Sequence, residues 1–136
     1  MKKRVIFVCT HNSNRSQIAE ALLKKIYGEH YEVFSAGSHP TKVNNYAVKV
    51  LLEDGIDISK NEAKDISNFI GQDFDYVVTL CDSAKEECPY IPKAKKYLHQ
   101  SFYDPTNFVG SEEEKIEKFR ILKNEIESFI KQTFAV

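Results

Sequence analysis

The sequence predicts an α/β fold built on a parallel sheet, in one domain, and three observations carry that prediction. Short, apolar, β-branched runs alternate with longer segments of helical periodicity. No Pro/Gly/Ser-rich linker, low-complexity tract or internal repeat divides the chain. Its 136 residues fit one domain and suffice to bury a core.

The elements follow in order. Arg4–Val8 is β-branched and apolar without alternation, the pattern of a strand buried on both faces. The polar stretch Cys9–Ser16 is a loop. Gln17–Ile26 reads as an amphipathic helix with Ile18, Ala21, Leu22 and Ile26 on one face. Tyr31–Phe34 is a second strand, followed by a turn at Ala36-Gly37-Ser38. Asn44–Leu52 is helical and stops near Asp54-Gly55. Tyr76–Leu80 is a third strand ending at Cys81. Asp82–Glu87 reads as a short helix, capped by Asp82 or Ser83 and stopped before Pro89. Lys95–Leu98 is a weaker fourth strand. Ser111–Phe134 is the longest helix, with Ser111 and Glu114 matching a capping box. Ile116, Phe119, Ile126 and Ile130 fall on one of its faces as core residues.

Composition narrows the partners. A net charge of −1 gives no electrostatic footprint for nucleic acid or an anionic membrane. The apolar run behind Met1-Lys2-Lys3-Arg4 is too short for a signal peptide, and no stretch approaches a membrane span. Three cysteines without a secretory signal suggest a cytoplasmic chain whose thiols are reduced and available for chemistry.

Cys9 and Arg15 are the chemically informative pair. A loop from a strand's carboxyl end to a helix amino terminus points backbone N–H groups inward, and the helix dipole adds positive potential, so it binds tetrahedral oxyanions. Arg15 supplies a planar fork for two anion oxygens and Cys9 a nucleophile that such surroundings favour as the thiolate. With three Cys and three Arg in the chain, the Cys-x5-Arg spacing alone discriminates poorly, so the strand–loop–helix context carries the assignment. The clustered Asn12, Ser13, Asn14 and Ser16 suit left-handed backbone and hydroxyl donation to a thiolate, not a core.

Cys81 and Cys88 form a second constellation. Seven residues of continuous helix separate α-carbons by about 10.5 Å, whereas a disulfide spans at most about 7 Å. The two can be joined only if the segment between them unwinds. Spacing alone leaves open whether they are a pair or two unrelated thiols; a zinc pair fits less well, since only His99 lies near. Asp104-Pro105 is a third element. A carboxylate held by the rigid ring after it can reach an anion site and protonate a leaving oxygen, although Asp-Pro is also a common turn.

Val8-Cys9-Thr10-His11-Asn12-Ser13-Asn14-Arg15-Ser16-Gln17 resembles the phosphate loop of the low-molecular-weight protein tyrosine phosphatase superfamily. Its Cys-Thr-x-Asn-Ser-x-Arg-Ser-Gln form is closest to the thioredoxin-coupled arsenate reductases of that superfamily. The resemblance continues through Ser35-Ala36-Gly37-Ser38, Gly55-Ile56-Asp57-Ile58-Ser59, Val77-Val78-Thr79-Leu80-Cys81, Cys88-Pro89 and Phe102-Tyr103-Asp104-Pro105. It implies a three-layer sandwich around a four-stranded parallel sheet, working as a cytoplasmic monomer with arsenate as substrate, thioredoxin as reductant and no cofactor or metal. It also implies roles: Cys9 as nucleophile, Arg15 as anion fork, Cys81 and Cys88 as a redox disulfide pair, Asp104 as acid. Thr10, His11, Asn12, Ser13, Asn14, Arg15 and Ser16 would surround the anion, with Asn12, Ser16 and Ser35 supporting the loop.

Two alternatives stand beside this. A tyrosine phosphatase would use Cys9, Arg15 and Asp104 but leave Cys81 and Cys88 idle; Thr106 and Asn107 stand where such phosphatases typically carry tyrosines. A phosphocarrier would park a phosphoryl group on Cys9 without needing Asp104. Some relatives bind potassium beside the loop through an Asn, a Ser and a later acidic residue. Asn12 and Ser35 match, but Lys64 falls where the acidic ligand would be, and its ammonium could stand in for the cation. Cys9→Ser is expected to abolish arsenate reduction and aryl phosphate hydrolysis together, because an alcohol cannot replace the thiolate; steady-state assays with both substrates check this.

Overall fold

The computed structural model describes residues 2–81 and 93–136, and the helix expected at Asp82–Glu87 lies outside them. Four strands, β1 (Lys3–Cys9), β2 (Tyr31–Gly37), β3 (Phe74–Thr79) and β4 (Ala94–His99), form one sheet in the order β2-β1-β3-β4. Every pairing is parallel. Among the described residues the α-helices are α1 (Arg15–Tyr27), α2 (Asn45–Leu52) and α3 (Glu112–Thr133).

The unbroken apolar run of β1 is explained by its central place. Val5 and Phe7 turn to one face and join α1, α2 and α3 in the larger core, which includes Ile18, Leu22, Val50, Leu51, Phe119, Ile126 and Ile130. Ile6 and Val8 turn to the other, where the layer among the described residues is built by Phe69, Phe74, Ala36 and Val77, with Ile66 packed against them. Arg4 ties the strands' lower ends together: its N–H donates to Asp75 Oδ2 at 2.7 Å, and Lys95 pairs with Asp75 Oδ1 at 3.2 Å.

Helix ends follow the side chains available to them. Asn44 and Ser111 cap α2 and α3 by accepting from Tyr46 and Glu114 N–H groups, and Glu114 completes the reciprocal box at Ser111. Gly55, at φ +79°, takes the left-handed position after α2. The expected turn at Ala36-Gly37-Ser38 is corrected: β2 runs on to Gly37, because its register with β1 continues to Cys9 opposite Gly37. Helix α1 likewise starts at Arg15, before the first apolar residue, because Asn14 caps it there.

Phe134, the residue that caps α3, is 1% exposed and sets its ring edge-on against Phe7, Tyr31, Tyr76 and Phe129. It joins α3 to three strands. Phe134→Ala is expected to cost about 3–5 kcal/mol of unfolding free energy, measured by urea denaturation.

Candidate active site

In an open parallel sheet, ligands bind beyond the carboxyl ends of the strands, where the chain's winding reverses. Here β2 lies on one side of β1 and β3 on the other, so the reversal falls at β1 and β3. Cys9 ends β1; Val8 pairs with Thr79, and Leu80 N–H donates to Val8 C=O at 2.9 Å, so Cys81 leaves the neighbouring strand at the same edge.

The loop between Cys9 and α1 is shaped by the fate of its carbonyls. Thr10, His11 and Ser13 C=O accept from the N–H groups of His39, Thr41 and Asn44, at 2.8, 3.2 and 2.9 Å. Across a trans peptide, C=O and the following N–H point oppositely, so the amides of His11, Asn12 and Asn14 turn away from that outer segment. Asn12 adopts the left-handed conformation at φ +50° that this path requires. The loop lies so close to β2 that a Cβ on Gly37 would stand 2.6 Å from Thr10 O and 2.8 Å from Asn12 N.

Side chains then lock the loop from behind. Asn12 is fully buried; its Oδ1 accepts from Lys64 N at 2.8 Å and Gln17 Nε2 at 3.0 Å, and its Nδ2 donates to Ser16 Oγ at 2.7 Å. Because Ser16 Oγ already accepts there, its own proton is left for Cys9 Sγ, 2.9 Å away. Cys9 is 1% exposed and a free thiol. Ser35 donates to Glu20 Oε1, and Glu20, 9% exposed at its side chain, pairs with Lys24 at 2.6 Å and Lys64 at 3.4 Å. The Lys64 ammonium thus sits on Glu20 while its backbone holds Asn12.

The cavity over the loop, about 240 Å³, is lined by Cys9, His11, Ser13, Asn14, Arg15, Thr41, Asp104 and Thr106. Of the residues expected around an anion, His11, Ser13, Asn14 and Arg15 line it, whereas the side chains of Asn12 and Ser16 stand behind the loop. Arg15 is 1% exposed, with Nη2 3.5 Å from Asp104 Oδ2. Burial raises the Asp104 carboxyl, but hydrogen bonds from Thr106 and Asn14 and the Arg15 charge outweigh it and hold the group below the ordinary carboxylate range. Asp104 therefore adds stability above that range, lost as pH falls through its lowered value.

Cys81 is fully buried and disulfide-bonded; Cys88 lies outside the described residues. Among the described residues no cluster of three or more His, Cys, Asp or Glu side chains could hold a metal, and no helix is long and apolar enough to cross a membrane. Sequence reasoning missed Thr41 and Thr106 on the cavity wall and Glu20 and Gln17 behind it. Glu20 had a faint signal, a carboxylate four residues before Lys24 and next to the apolar run Ala21-Leu22-Leu23.

A family described as low molecular weight phosphotyrosine protein phosphatase matches residues 4–135. A protein named arsenate reductase from Halalkalibacterium halodurans is 45% identical over 134 residues, covering 98% of this chain and 96% of that one. A solved structure titled an arsenate reductase in the phosphate binding state superposes with a TM-score of 0.83 at 29% identity, covering 99% of this chain and 98% of the other. A Corynebacterium glutamicum thioredoxin-dependent arsenate reductase matches with a TM-score of 0.64 at 31% identity, over 97% of this chain and 63% of that one.

Asn12→Ala removes three side-chain hydrogen bonds and keeps a left-handed backbone with no polar group to support it. A loss of about 3 kcal/mol is expected, with turnover falling alongside. Asn12→Gly should recover only about 1 kcal/mol, since it relieves the backbone alone; denaturation of both variants distinguishes the two contributions.

Proposed function

The chain belongs to the low molecular weight phosphotyrosine protein phosphatase family, and we propose that within it the chain reduces arsenate to arsenite through Cys9, Cys81 and Cys88, with thioredoxin as reductant. The observation that carries the reading is a second cysteine at the carboxyl end of the strand beside the nucleophile's own. Hydrolysis has no use for it. The disulfide at Cys81 supports its redox role, and the relatives named arsenate reductase support the substrate.

Arsenate is a tetrahedral oxyanion that the loop amides, the α1 terminus and Arg15 can hold against Cys9 Sγ. Cys9 forms a sulfur–arsenic bond; an arsenic–oxygen bond breaks, and Asp104 protonates the departing hydroxide to water. Cys81, as thiolate, attacks Cys9 Sγ. The sulfur–arsenic bond breaks, its electron pair passes to arsenic, and arsenic(V) leaves as arsenite, arsenic(III). Cys88 attacks Cys81, freeing Cys9, and thioredoxin's dithiol reduces the Cys81–Cys88 disulfide. Two electrons enter and two leave on arsenic. No metal or organic cofactor takes part.

The family's own chemistry supports a second reading. A phosphate monoester would form the same Cys9 adduct, which water would resolve. Thr106 and Asn107 after Asp104-Pro105 favour the reductase.

An assay with arsenate, thioredoxin, thioredoxin reductase and NADPH separates the two. Wild type is expected to oxidise NADPH continuously. Cys88→Ser should stop after one turnover with a Cys9–Cys81 disulfide, and Cys81→Ser should release no arsenite, while both keep hydrolysing an aryl phosphate. Arsenate turnover at the wild-type rate in both variants would overturn the relay in favour of the phosphatase.

A further inference from the structure

Asn14 sits at the start of α1, 3% exposed, and its amide is used completely. Its Oδ1 accepts from Arg15 N–H at 2.5 Å. A backbone N–H can only donate, so the amide's orientation is fixed and its NH2 group must face the other way. There one hydrogen goes to Asp104 Oδ1 at 2.9 Å and the other to Thr106 Oγ1 at 2.8 Å. Thr106 Oγ1, accepting from Asn14, donates its own hydrogen to Asp104 Oδ1 at 2.5 Å, and Thr106 N–H donates to the same oxygen at 3.0 Å.

Asp104 Oδ1 is therefore surrounded by three donors. A proton placed on it would displace at least one of these donors, and the Asn14 and Thr106 N–H groups beside it cannot accept. Asp104 Oδ2 faces a single donor, accepting from Arg15 Nη2 at 3.5 Å, the long limit of a hydrogen bond, at the cavity over Cys9. We propose that Asn14 and Thr106 are a positioning pair that makes Oδ2 the oxygen of Asp104 that carries the reacting proton. The proposal rests on the reading of Asp104 as the acid. In the step it serves, the Oδ2–H bond breaks, the arsenic–hydroxide bond breaks, and water forms. The carboxylate left behind keeps all three donors on Oδ1, so the pair favours the deprotonated product as well as aiming the proton.

The arrangement links two ends of the site. The same amide that caps the anion-binding helix holds the acid, 90 residues away in sequence, so the loop and the Asp104 segment are set by one side chain. Among the described residues, the titratable and charged groups facing Asp104 are Arg15 of α1 and, across the cavity, Cys9 and His11 of the loop. Helix α3 packs against the short turn Pro105–Asn107, but among the described residues Arg15 is the charge that acts on the carboxyl.

The test compares the carbon-13 titration of the Asp104 carboxyl with the pH profile of arsenite release. Asn14→Ser keeps an oxygen to cap Arg15 N–H but is too short to reach Asp104. It is expected to raise the Asp104 pKa by about one unit and to move the alkaline limb of turnover upward equally, with kcat about tenfold lower. Thr106→Val, at an exposed position, should raise the pKa likewise, and Thr106→Ser should keep it at the wild-type value. Should Asn14→Ser not fold, Thr106→Val carries the test. An unchanged Asp104 pKa in both Asn14→Ser and Thr106→Val would overturn the pair. Asp104→Asn is the separate control: arsenite release at the wild-type rate there would overturn Asp104 as the acid, whatever the titrations show.

Discussion

A peptide loop can present several N–H groups to an anion only when its carbonyls are satisfied elsewhere. Otherwise the dipoles cancel, or the loop collapses on itself. In this chain the carbonyls of Thr10, His11 and Ser13 are taken up by a neighbouring segment, His39 to Asn44, that runs alongside the loop. Much else follows from that. Gly37 has no side chain because the loop passes where a Cβ would be. Asn12 turns left-handed to bring the chain round, and β2 extends far enough to hand over to the segment that receives the carbonyls.

Around that loop the protein keeps buried polar groups paired. Glu20 is a carboxylate inside the helix–sheet layer, tolerable because Ser35, Lys24 and Lys64 all reach it. Lys64 is the economical member of the set: its ammonium serves Glu20 and its backbone N–H serves Asn12. A single residue from outside the loop thus settles both a charge and a turn. Asp104 shows the opposite management. It is partly open to the cavity, with hydrogen bonds from Asn14 and Thr106 on one oxygen and the Arg15 charge by the other.

How much of this could be read beforehand depended on sequence separation. The Ser111–Glu114 box and the strand–loop–helix around Cys9 and Arg15 are local, and each left a mark within a few residues. The core face of α3 was visible from periodicity: Phe119, Ile126 and Ile130 are buried, and Ile116 is half-buried against the same core. The far end of β2 was hidden, because Ala36-Gly37-Ser38 has turn composition and only its pairing with β1 keeps it extended. Asn14 read as one more polar loop residue around the anion. Its contacts to Asp104 and Thr106 come from the far end of the chain, and no local pattern encodes them. Thr106 was noticed as a departure from phosphatase tyrosines, without any sign of what its hydroxyl would bond.

Phe134 gives the fold a direction in time. Its ring rests on Phe7, Tyr31 and Tyr76 and so closes the larger core with a residue encoded after every element it touches. During synthesis, chains emerge at about 5–20 residues per second, and β1, its loop and α1 leave the ribosome long before that ring. The sheet can begin to pair, and α1 and α2 cover part of its α3-facing side, but that core is closed only when α3 arrives. Over that interval part of the larger core's apolar surface is still open, the condition in which incomplete chains are prone to aggregate.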